Sequence, residues 1–323
     1  MQKNATNLTA MKNNATDSDG KWRPLMAPFG YYGAKQRLAS RIVGKLPPHN
    51  AWVEAFCGSA ALTLAKRPVQ IEVINDINGE VVNFFRQLRN NSSEMCKLLR
   101  FTPYAREELS KARSPEAELT DLERARRFFV AAMMAINGSF GKALGGFSFS
   151  NSYTRRNMEA RVSRWKAMPD YLELVAERLS QVRIENKDAI VLFSDFINRP
   201  ATLVYFDPPY LTDRTQGYDH DQCSEEYHER LLNAAIKAKC MVFLSGYEND
   251  LYNDYLTCAN GWHKRRIKTT TRGHNGKDSK REEIIWCNEK YSNALKSGRV
   301  PVHLSAKERR YKKVNPERGT RTK

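Results

Sequence analysis

Four residues that follow a short apolar run could hold an exocyclic amine on a planar ring. Residues 202–206 (Thr-Leu-Val-Tyr-Phe) are typical of a buried strand, and Asp207-Pro208-Pro209-Tyr210 ends it, because proline cannot continue a β ladder. Ligands of open α/β sheets bind at the carboxyl ends of strands. We predict that the Asp207 carboxylate and the Pro208 carbonyl each accept an N–H from the amine, while Tyr210 stacks on the ring. A proline turn that only closes a core strand is the alternative.

A second candidate site is a turn of small residues between a predicted strand and a predicted helix. Residues 53–62 (VEAFCGSAAL) place Glu54, Phe56 and Gly58 ahead of an apolar helix start. Small residues let the backbone approach a ligand closely, and a helix N-terminus offers free N–H groups. We therefore predict a ligand-binding loop here, with an ordinary strand-to-helix turn as the alternative.

Two acids end strand-like segments farther along the chain. Asp76 closes residues 71–75 (IEVIN), about twenty residues after the small turn, and an acid at this spacing in a βαβ unit commonly reaches ribose hydroxyls. Asp76 could also cap the helix predicted over residues 79–88. Asp188 likewise follows a strand-like segment that starts at Val182. The spacing makes Asp76 a candidate for contact with a ribose.

These motifs together resemble a family of enzymes. Asp-Pro-Pro-Tyr resembles the catalytic motif of amino-methyltransferases that methylate adenine N6 or cytosine N4 in DNA. Residues 53–62 resemble the family's first cofactor motif, Phe-x-Gly-x-Gly, with Ala60 at its second glycine. Residues 28–35 (PFGYYGAK) resemble the aromatic-glycine-lysine loop of Dam-type adenine methyltransferases, apart from Tyr32 and Ala34. The motif order is that of Dam-like, alpha-type enzymes, many of them from phages and prophages.

The resemblance implies an S-adenosylmethionine-dependent DNA adenine-N6 methyltransferase that acts on a flipped-out base. Its fold would be α/β, a doubly wound, mostly parallel sheet of the class I methyltransferase, Rossmann-like type with a helical target-recognition insertion. It further implies that Asp76 binds the ribose, Asp188 the adenine amine and Tyr31 the surroundings of the cofactor. Lys35 would contact the methionine part or the catalytic strand. Cytosine-N4 methylation and a DNA-binding relative without turnover are the alternatives.

The resemblance, together with the composition of the two ends, predicts how the chain is divided into domains and tails. We expect a disordered tail over residues 1–22 and a catalytic, S-adenosylmethionine-binding domain over residues 23–90 and 182–291. A helical target-recognition insertion would occupy residues 91–181. A basic tail over residues 292–323 completes the prediction, and it too is expected to be disordered because it is polar and carries few apolar residues.

The insertion carries arginines that could contact DNA. Thr120 to Glu123 form a capping-box signature ahead of an apolar run, which predicts a helix. Arginines interleaved with aromatic and amide side chains suit phosphate contacts and base-edge recognition. The candidates are Arg124, Arg127, Arg155, Arg156 and Arg161, with Arg272 in a basic hairpin as a second surface. A solvated amphipathic helix and an ordinary charged loop are the alternatives. The polar loop over residues 212–218 could close over the extruded base.

Composition favours a polyanionic partner. The chain has 53 Lys and Arg against 36 Asp and Glu, a net charge of +17, of which residues 290–323 carry +9. This balance fits a polyanionic partner, with a merely solvated basic tail as the alternative for residues 290–323. The resemblance implies that the partner is double-stranded DNA, and it admits a restriction endonuclease acting on the same site. No run of eighteen apolar residues predicts a membrane span, and no signal peptide is evident.

The six cysteines lack a Cys-x-x-Cys pair, which argues against a metal site or a disulfide framework and fits a reducing cytosol. The resemblance implies that this cytosol is bacterial or phage-infected. We expect Cys57 and Cys287 to be buried, because both lie in strand-like apolar contexts. His220 and His228 lack a third ligand at metal spacing and are predicted to lie at the surface.

Overall fold

A computed structural model describes residues 22–31, 33, 35–136, 145–211, 224–272 and 278–302, with side chains 269–272 and 278–281 excepted. The strands are β1 Ala51–Glu54, β2 Ile71–Asn75, β3 Thr154–Arg155, β4 Met158–Glu159, β5 Val182–Glu185, β6 Thr202–Phe206, β7 Met241–Gly246, β8 Trp262–Arg272 and β9 Asp278–Asn288. The helices are α1 Ala39–Val43, α2 Ala61–Ala65, α3 Gly79–Asn90, α4 Ser92–Phe101, α5 Arg106–Arg113, α6 Asp121–Met134, α7 Ala160–Leu179, α8 Ala189–Ser194, α9 Glu225–Ile236, α10 Asp250–Tyr255 and α11 Glu289–Ser297. A short 3₁₀ helix, Lys35–Arg37, precedes α1.

The central sheet has the strand order β5-β2-β1-β6-β7-β9-β8. Strands β5, β2, β1, β6 and β7 run parallel, while β9 is antiparallel to β7 and to β8. The chain leaves β1 toward β2 and later returns to β6 on the other side, so the strand order reverses between β1 and β6. This reversal is the point at which doubly wound folds bind ligands. The predicted α/β fold of the class I methyltransferase type is confirmed.

The inner strands are apolar because both of their faces are covered. One face packs against α8, α9 and α10, with Val53, Val204 and Val242 in that core. The opposite face packs against α1, α2 and α11, with Trp52 and Phe243 in that core. A third core joins the insertion helices to β2 and β5. Along β1, β6, β7 and β9 the side chains alternate between the first two cores, as the two-residue strand period requires.

Several elements agree with the sequence predictions. The strands predicted over residues 202–206 and 71–75 are confirmed, and the helix predicted over residues 79–88 extends to Asn90. The basic hairpin predicted around Arg272 is confirmed as the antiparallel pair of β8 and β9. Thr120 caps α6 by accepting the N–H of Glu123, as predicted. Residues 91–181 contain α4 to α7 and the β3–β4 hairpin, and their role in target recognition remains a prediction.

Two expectations about the surface and the tail are wrong. His228 is buried, because α9 turns its imidazole inward, where Nδ1 lies 2.8 Å from the hydroxyl of Tyr252. Disorder does not begin at Ser292, since α11 continues to Ser297 and buries Ala294 against the sheet. Residues 1–21, the loop 212–218, His220 and residues 303–323 lie outside the described residues.

The cysteines in the described ranges have free thiols, and Cys57 and Cys287 are buried as predicted. Across the same ranges, no helix has both the length and the apolar character needed to cross a bilayer.

Candidate active site

A row of polar side chains crosses one face of the sheet at its carboxyl edge. Each lies two or four residues along its strand from an apolar residue of the core that α1, α2 and α11 cover. The two-residue strand period therefore places all of them on that face. The row consists of Glu54 after Trp52, Tyr205 and Asp207 after Leu203, Ser245 after Phe243, and Glu283 before Ile285. These residues are far apart in the sequence, and the sheet order brings them together.

Lys35 places an ammonium group against this row. Its Nζ lies 2.7 Å from Asp207 Oδ1, 2.9 Å from Asp207 Oδ2, 2.6 Å from the Tyr210 hydroxyl and 3.3 Å from Glu283 Oε1. Nζ also donates to the Gly33 carbonyl at 2.9 Å. Only 4% of the Lys35 side chain is exposed. The predicted lysine loop therefore meets the catalytic strand through a buried ion pair.

The Asp207 carboxylate remains accessible and has acceptor capacity left. Its Oδ1 accepts bonds from Lys35 and from Ser245 Oγ at 2.8 Å, whereas the Oδ2 contact is with Lys35. A carboxylate oxygen offers two lone pairs, so Oδ2 can accept a further N–H. The side chain is 15% exposed, against 4% for Lys35. Tyr205 bonds Ser245 at 2.7 Å and so orients the hydroxyl that Asp207 accepts.

Tyr210 joins the row through its hydroxyl as well as its ring. The hydroxyl accepts from Lys35 and donates to Glu283 Oε1 at 2.6 Å. The ring packs edge to face on Tyr247, with centroids 4.6 Å apart. Pro208, the next residue after Asp207, is buried. Two aromatic rings therefore stand beside the carboxylate at the end of β6.

Burial and charge set the protonation of this cluster. Burial alone would lower the pKa of the Lys35 ammonium, but Asp207 and Glu283 outweigh it and raise that pKa. Burial raises the pKa of Glu283, and Lys35 opposes the rise. Burial, reinforced by Asp207 and Glu283, also raises the pKa of the Tyr210 hydroxyl well above its ordinary value. Lys35 therefore stays cationic and Tyr210 stays protonated near neutral pH.

Glu54 caps a helix that has no capping side chain of its own. The N-cap of α2 is Ala60, and Glu54 on β1 instead accepts the N–H of Thr63 at 2.9 Å and its hydroxyl at a short distance. Ala60 itself is left-handed, with φ +54°. The family motif has glycine at this position, which adopts such a φ without strain. Burial raises the pKa of Glu54 to about 7.

This pKa predicts a pH-dependent stability. In the unfolded chain Glu54 ionises near its ordinary 4.5, whereas the folded protein holds the proton up to about pH 7. The folded state therefore binds more protons between these values, and its free energy of unfolding falls as pH rises through them, by roughly 3 kcal/mol. We expect Glu54→Gln to remove this decline in urea unfolding between pH 5 and pH 8. The exposed Glu118 provides the control variant, Glu118→Gln, and an unchanged decline in Glu54→Gln would contradict the assignment.

The predicted cofactor loop is a tight turn between β1 and α2. Gly58 has φ +45°, and a Cβ there would stand 2.7 Å from Cδ1 of Tyr31. Asp76, at the end of β2, accepts the N–H of Gly58 at 2.8 Å and that of Asn78 at 2.9 Å. The helix-capping alternative for Asp76 is wrong, since Asn78 caps α3. Tyr31, Gly58 and Asp76 thus form one cradle where the strand order reverses.

Two further predicted cofactor residues, Asp188 and Phe56, make contacts within the fold. Asp188 caps α8, its Oδ1 accepting the N–H groups of Ile190 and Val191 at 2.9 and 3.2 Å. Its carboxylate also bonds Tyr227. Phe56 is partly buried and packs edge to face on Phe206, with centroids 6.2 Å apart. The structure therefore gives Asp188 a structural role as a cap, beside its predicted contact with the cofactor.

The structure separates the candidate DNA-binding arginines. Arg127 is 5% exposed and bonds Glu123, Glu116 and the Ser114 carbonyl, so the prediction that it contacts DNA is wrong in this conformation. Arg124 is held by Glu80 and Asp121. By contrast Arg155, Arg156 and Arg161 are exposed. The side chain of Arg272 lies outside the described residues.

Four members of the site escaped prediction from the sequence: Tyr205, Ser245, Tyr247 and Glu283. Each ends or interrupts an apolar strand at the edge where β6 delivers Asp207. The sequence does mark such positions in one way: a polar residue follows a predicted buried residue two positions later, as Ser245 follows Phe243. That signal also marks ordinary strand ends, so it could not select these residues without the sheet order.

Comparisons with known proteins agree with this geometry. A family model described as D12 class N6 adenine-specific DNA methyltransferase matches residues 31–270. The Type II methyltransferase M1.LlaDCHI of Lactococcus lactis subsp. cremoris is 27% identical over 226 residues, which cover 64% of this chain and 75% of that protein. A solved structure, a putative RNA methyltransferase PH1948 from Pyrococcus horikoshii, aligns over 78% of this chain and 77% of its own with 10% identity and a TM-score of 0.31. A TM-score this low says nothing further about the site. Among the described residues, no group of three or more His, Cys, Asp or Glu side chains could hold a metal ion.

Proposed function

Because this chain belongs to the D12 class N6 adenine-specific DNA methyltransferase family, we propose that the carboxyl-edge row is its active site and that S-adenosylmethionine is its methyl donor. The protein is an adenine-specific DNA methyltransferase, and family membership favours adenine N6 over cytosine N4. The observation that most supports placing methyl transfer at this row is the free acceptor capacity of Asp207 Oδ2 beside two aromatic rings.

The adenine amine needs help to act as a nucleophile, because its lone pair is conjugated into the ring. Asp207 Oδ2 and the Pro208 carbonyl would accept its two N–H bonds and draw them out of the ring plane. As the nitrogen–carbon bond forms and the carbon–sulfur bond of the donor breaks, positive charge would grow on nitrogen, and the Asp207 carboxylate would stabilise it. The methylated nitrogen would then lose one proton to Asp207, which is 15% exposed and can pass it to solvent. Prolines at 208 and 209 hold both acceptors in place before the substrate arrives. Tyr210 and Tyr247 would stack against a base extruded from the duplex, which offsets part of the few kcal/mol that flipping costs.

The cradle of Tyr31, Gly58 and Asp76 fits the proposed cofactor. The lack of a side chain at Gly58 lets the Tyr31 ring pack directly against the loop, and Asp76 lies at the strand end where an acid reaches ribose hydroxyls. Glu54 and Phe56 line the base of the loop, and Asp188 would accept from the adenine amine. When bound, S-adenosylmethionine supplies a sulfonium methyl and its own leaving group.

Methyl transfer tests this proposal directly. Purified protein is incubated with S-adenosylmethionine labelled in the methyl group and with duplex DNA, which is then digested to nucleosides. We expect label in N6-methyladenosine. Label confined to N4-methylcytosine, or absent from DNA, would contradict the assignment. Sequencing of DNA from cells that express the protein would identify the recognised bases.

Asp76→Ala is expected to weaken S-adenosylmethionine binding by about 1–3 kcal/mol, because the ribose hydroxyls would lose a buried partner. Calorimetric titration measures the affinity. Asp195→Ala, an exposed acid beyond α8, is the matched control and should bind as wild type does. Unchanged affinity in Asp76→Ala would remove this residue from the cofactor site.

We also propose that the β3–β4 hairpin and the start of α7 contact DNA. Arg156 and Asn157 form the two-residue turn of this hairpin, with φ +53° and +59°. Positive φ at both central residues is typical of tight two-residue β-hairpin turns, and it places Arg156 at the tip of the hairpin. Arg155 and Arg161 are exposed beside it. Together they support the prediction that residues 91–181 recognise the target.

Replacing Arg155, Arg156 and Arg161 with Ala should weaken DNA binding and flatten its dependence on salt. Each lost phosphate contact lowers the slope of log K against log salt concentration by roughly 0.9. Cofactor affinity should not change. Arg199→Ala, an exposed arginine of the catalytic domain, is the control. A slope that survives the triple substitution would move the DNA surface to the β8–β9 hairpin, near Arg272.

We also propose a cellular compartment and a partner enzyme for this protein. The free thiols suit a reducing cytosol, bacterial or phage-infected. The similarity to a type II methyltransferase is compatible with a restriction endonuclease that acts on the same DNA site.

A further inference from the structure

Glu283 reaches the active site because β9 runs against the other strands. β9 pairs with β7 from Cys287 opposite Phe243 to Ile284 opposite Gly246. Glu283 immediately precedes Ile284 in the chain. Because β9 is antiparallel to β7, Glu283 therefore lies just past the carboxyl end of β7. Its side chain is 6% exposed and shares the face of Asp207 and Ser245. A buried acid thus enters from a strand that carries neither the Asp-Pro-Pro-Tyr motif nor the cofactor loop.

Glu283 and Asp207 hold Lys35 between them. Nζ of Lys35 lies 2.7 Å from Asp207 Oδ1 and 3.3 Å from Glu283 Oε1. Two carboxylates and one ammonium leave this cluster with a net charge of −1 when both acids are ionised. If Glu283 carried no charge, the ammonium would neutralise Asp207 alone. Such a change in net charge alters the electrostatic energy of the cluster strongly, because charges interact more strongly where water is excluded.

Glu283 also decides where the Tyr210 proton points. The hydroxyl has one proton, and its oxygen lies 2.6 Å from Glu283 Oε1 and 3.3 Å from Asp207 Oδ1. The shorter contact takes the proton, while the hydroxyl oxygen accepts from Lys35. Without that acceptor the hydroxyl would turn its proton to Asp207 Oδ1. A donated proton there would draw electron density from the carboxylate that must accept the amine.

We propose that Glu283 is a positioning residue for methyl transfer: by sharing the Lys35 ammonium and binding the Tyr210 proton, it keeps negative charge on Asp207 toward the substrate amine. The inference rests on the proposed function of Asp207. Glu283 itself does not touch the amine, so its effect passes through Lys35 and Tyr210. Its loss should slow chemistry and leave ground-state binding alone.

Glu283→Gln removes the charge and keeps the shape and one acceptor oxygen. We expect its single-turnover rate of adenine methylation to fall roughly 10- to 100-fold, less than the loss of a direct contact would cause. Its affinities for S-adenosylmethionine and DNA should stay within about twofold of wild type. The matched control is Glu282→Gln on the same strand, whose exposed side chain pairs with Arg266 at 3.1 Å, and it should keep the wild-type rate. A wild-type rate in Glu283→Gln would overturn the inference.

Glu283 contacts both Lys35 and Tyr210, so the mutant cycle uses a background that removes both partners, Lys35→Met/Tyr210→Phe. If Glu283 acts through these two groups, adding Glu283→Gln to this background changes the rate by less than about threefold. A further loss of about tenfold or more would mean that Glu283 acts independently of both groups, and would overturn the inference. Should Glu283→Gln alone fail to fold, this comparison decides, because the background already lacks both groups through which the Glu283 carboxylate is proposed to act.

Asp207→Ala, measured alongside, separates the two proposals. Activity within about tenfold of wild type in Asp207→Ala would end the proposed function. An inactive Asp207→Ala beside a fully active Glu283→Gln would end only the inference about Glu283.

Discussion

Replacing Asp207 with Ala is expected to lower the single-turnover rate of adenine methylation by roughly two to three orders of magnitude or more. The carboxylate acts where the amine gains charge, and one preorganised electrostatic contact of this kind is commonly worth about 2.7–4 kcal/mol in the transition state. The substitution also leaves Lys35 with Glu283 as its remaining carboxylate partner in the row. Asp207→Asn keeps one acceptor and should lose less. The measurement is rapid-quench transfer of labelled methyl to an adenine-containing duplex.

DNA affinity provides the internal control for this result. Phosphate contacts supply most of the affinity for a duplex, so both Asp207 variants should bind DNA as wild type does. Asp254→Ala, an exposed acid on α10, should leave the rate unchanged. An Asp207→Ala protein that methylates within about tenfold of wild type would refute the mechanism.

The structure also changes what Tyr210→Phe should do. If only the ring stacked on the base, loss of the hydroxyl would matter little. The hydroxyl, however, is bonded to Lys35 and Glu283 at 2.6 Å each. Its removal leaves two buried charged groups short of a partner, so Tyr210→Phe should slow methyl transfer in the same assay rather than act as a silent variant.

Replacing Glu72 with Ala is expected to destabilise the fold by about 3–5 kcal/mol, the usual cost of breaking a buried ion pair. Glu72 on β2 is buried, and its carboxylate lies 2.6 Å from Lys66 Nζ and 2.5 Å from Nη1 of Arg178. Arg178 belongs to α7, the last helix before β5, so this cluster ties the insertion to the sheet. Removing the one acid leaves two cations buried without it, which costs far more than a surface ion pair is worth.

Urea unfolding followed by tryptophan fluorescence measures this loss. Glu177→Ala replaces an exposed acid on the same helix, one residue from Arg178, and should change the free energy of unfolding by no more than about 0.5 kcal/mol. A cost below about 1 kcal/mol for Glu72→Ala would show that water or other groups compensate the two cations.

Local patterns in the sequence were enough for several of the strands and helices and for the positions of the motifs. The strand over residues 202–206 and the turn after it follow from five β-forming residues and two prolines, which act through neighbouring backbone alone. The acid Asp76 and the turn at Gly58 follow from the spacing of one βαβ unit. Two strand-like segments joined by a basic loop predicted the closing hairpin of β8 and β9. Such signals are local, so a single chain reveals them.

The tertiary structure alone decided which polar groups meet. Lys35 and Asp207 are 172 residues apart, and Tyr210 and Glu283 are 73 apart, so their contacts depend on strand order and register that no local pattern encodes. The same reason explains Arg127, whose sequence neighbourhood suggests a basic surface but whose guanidinium is buried against Glu116 and Glu123. Arg127 is buried among its partners, whereas Asp207 is also ion-paired but keeps an accessible carboxylate oxygen, and only the folded structure distinguishes the two cases.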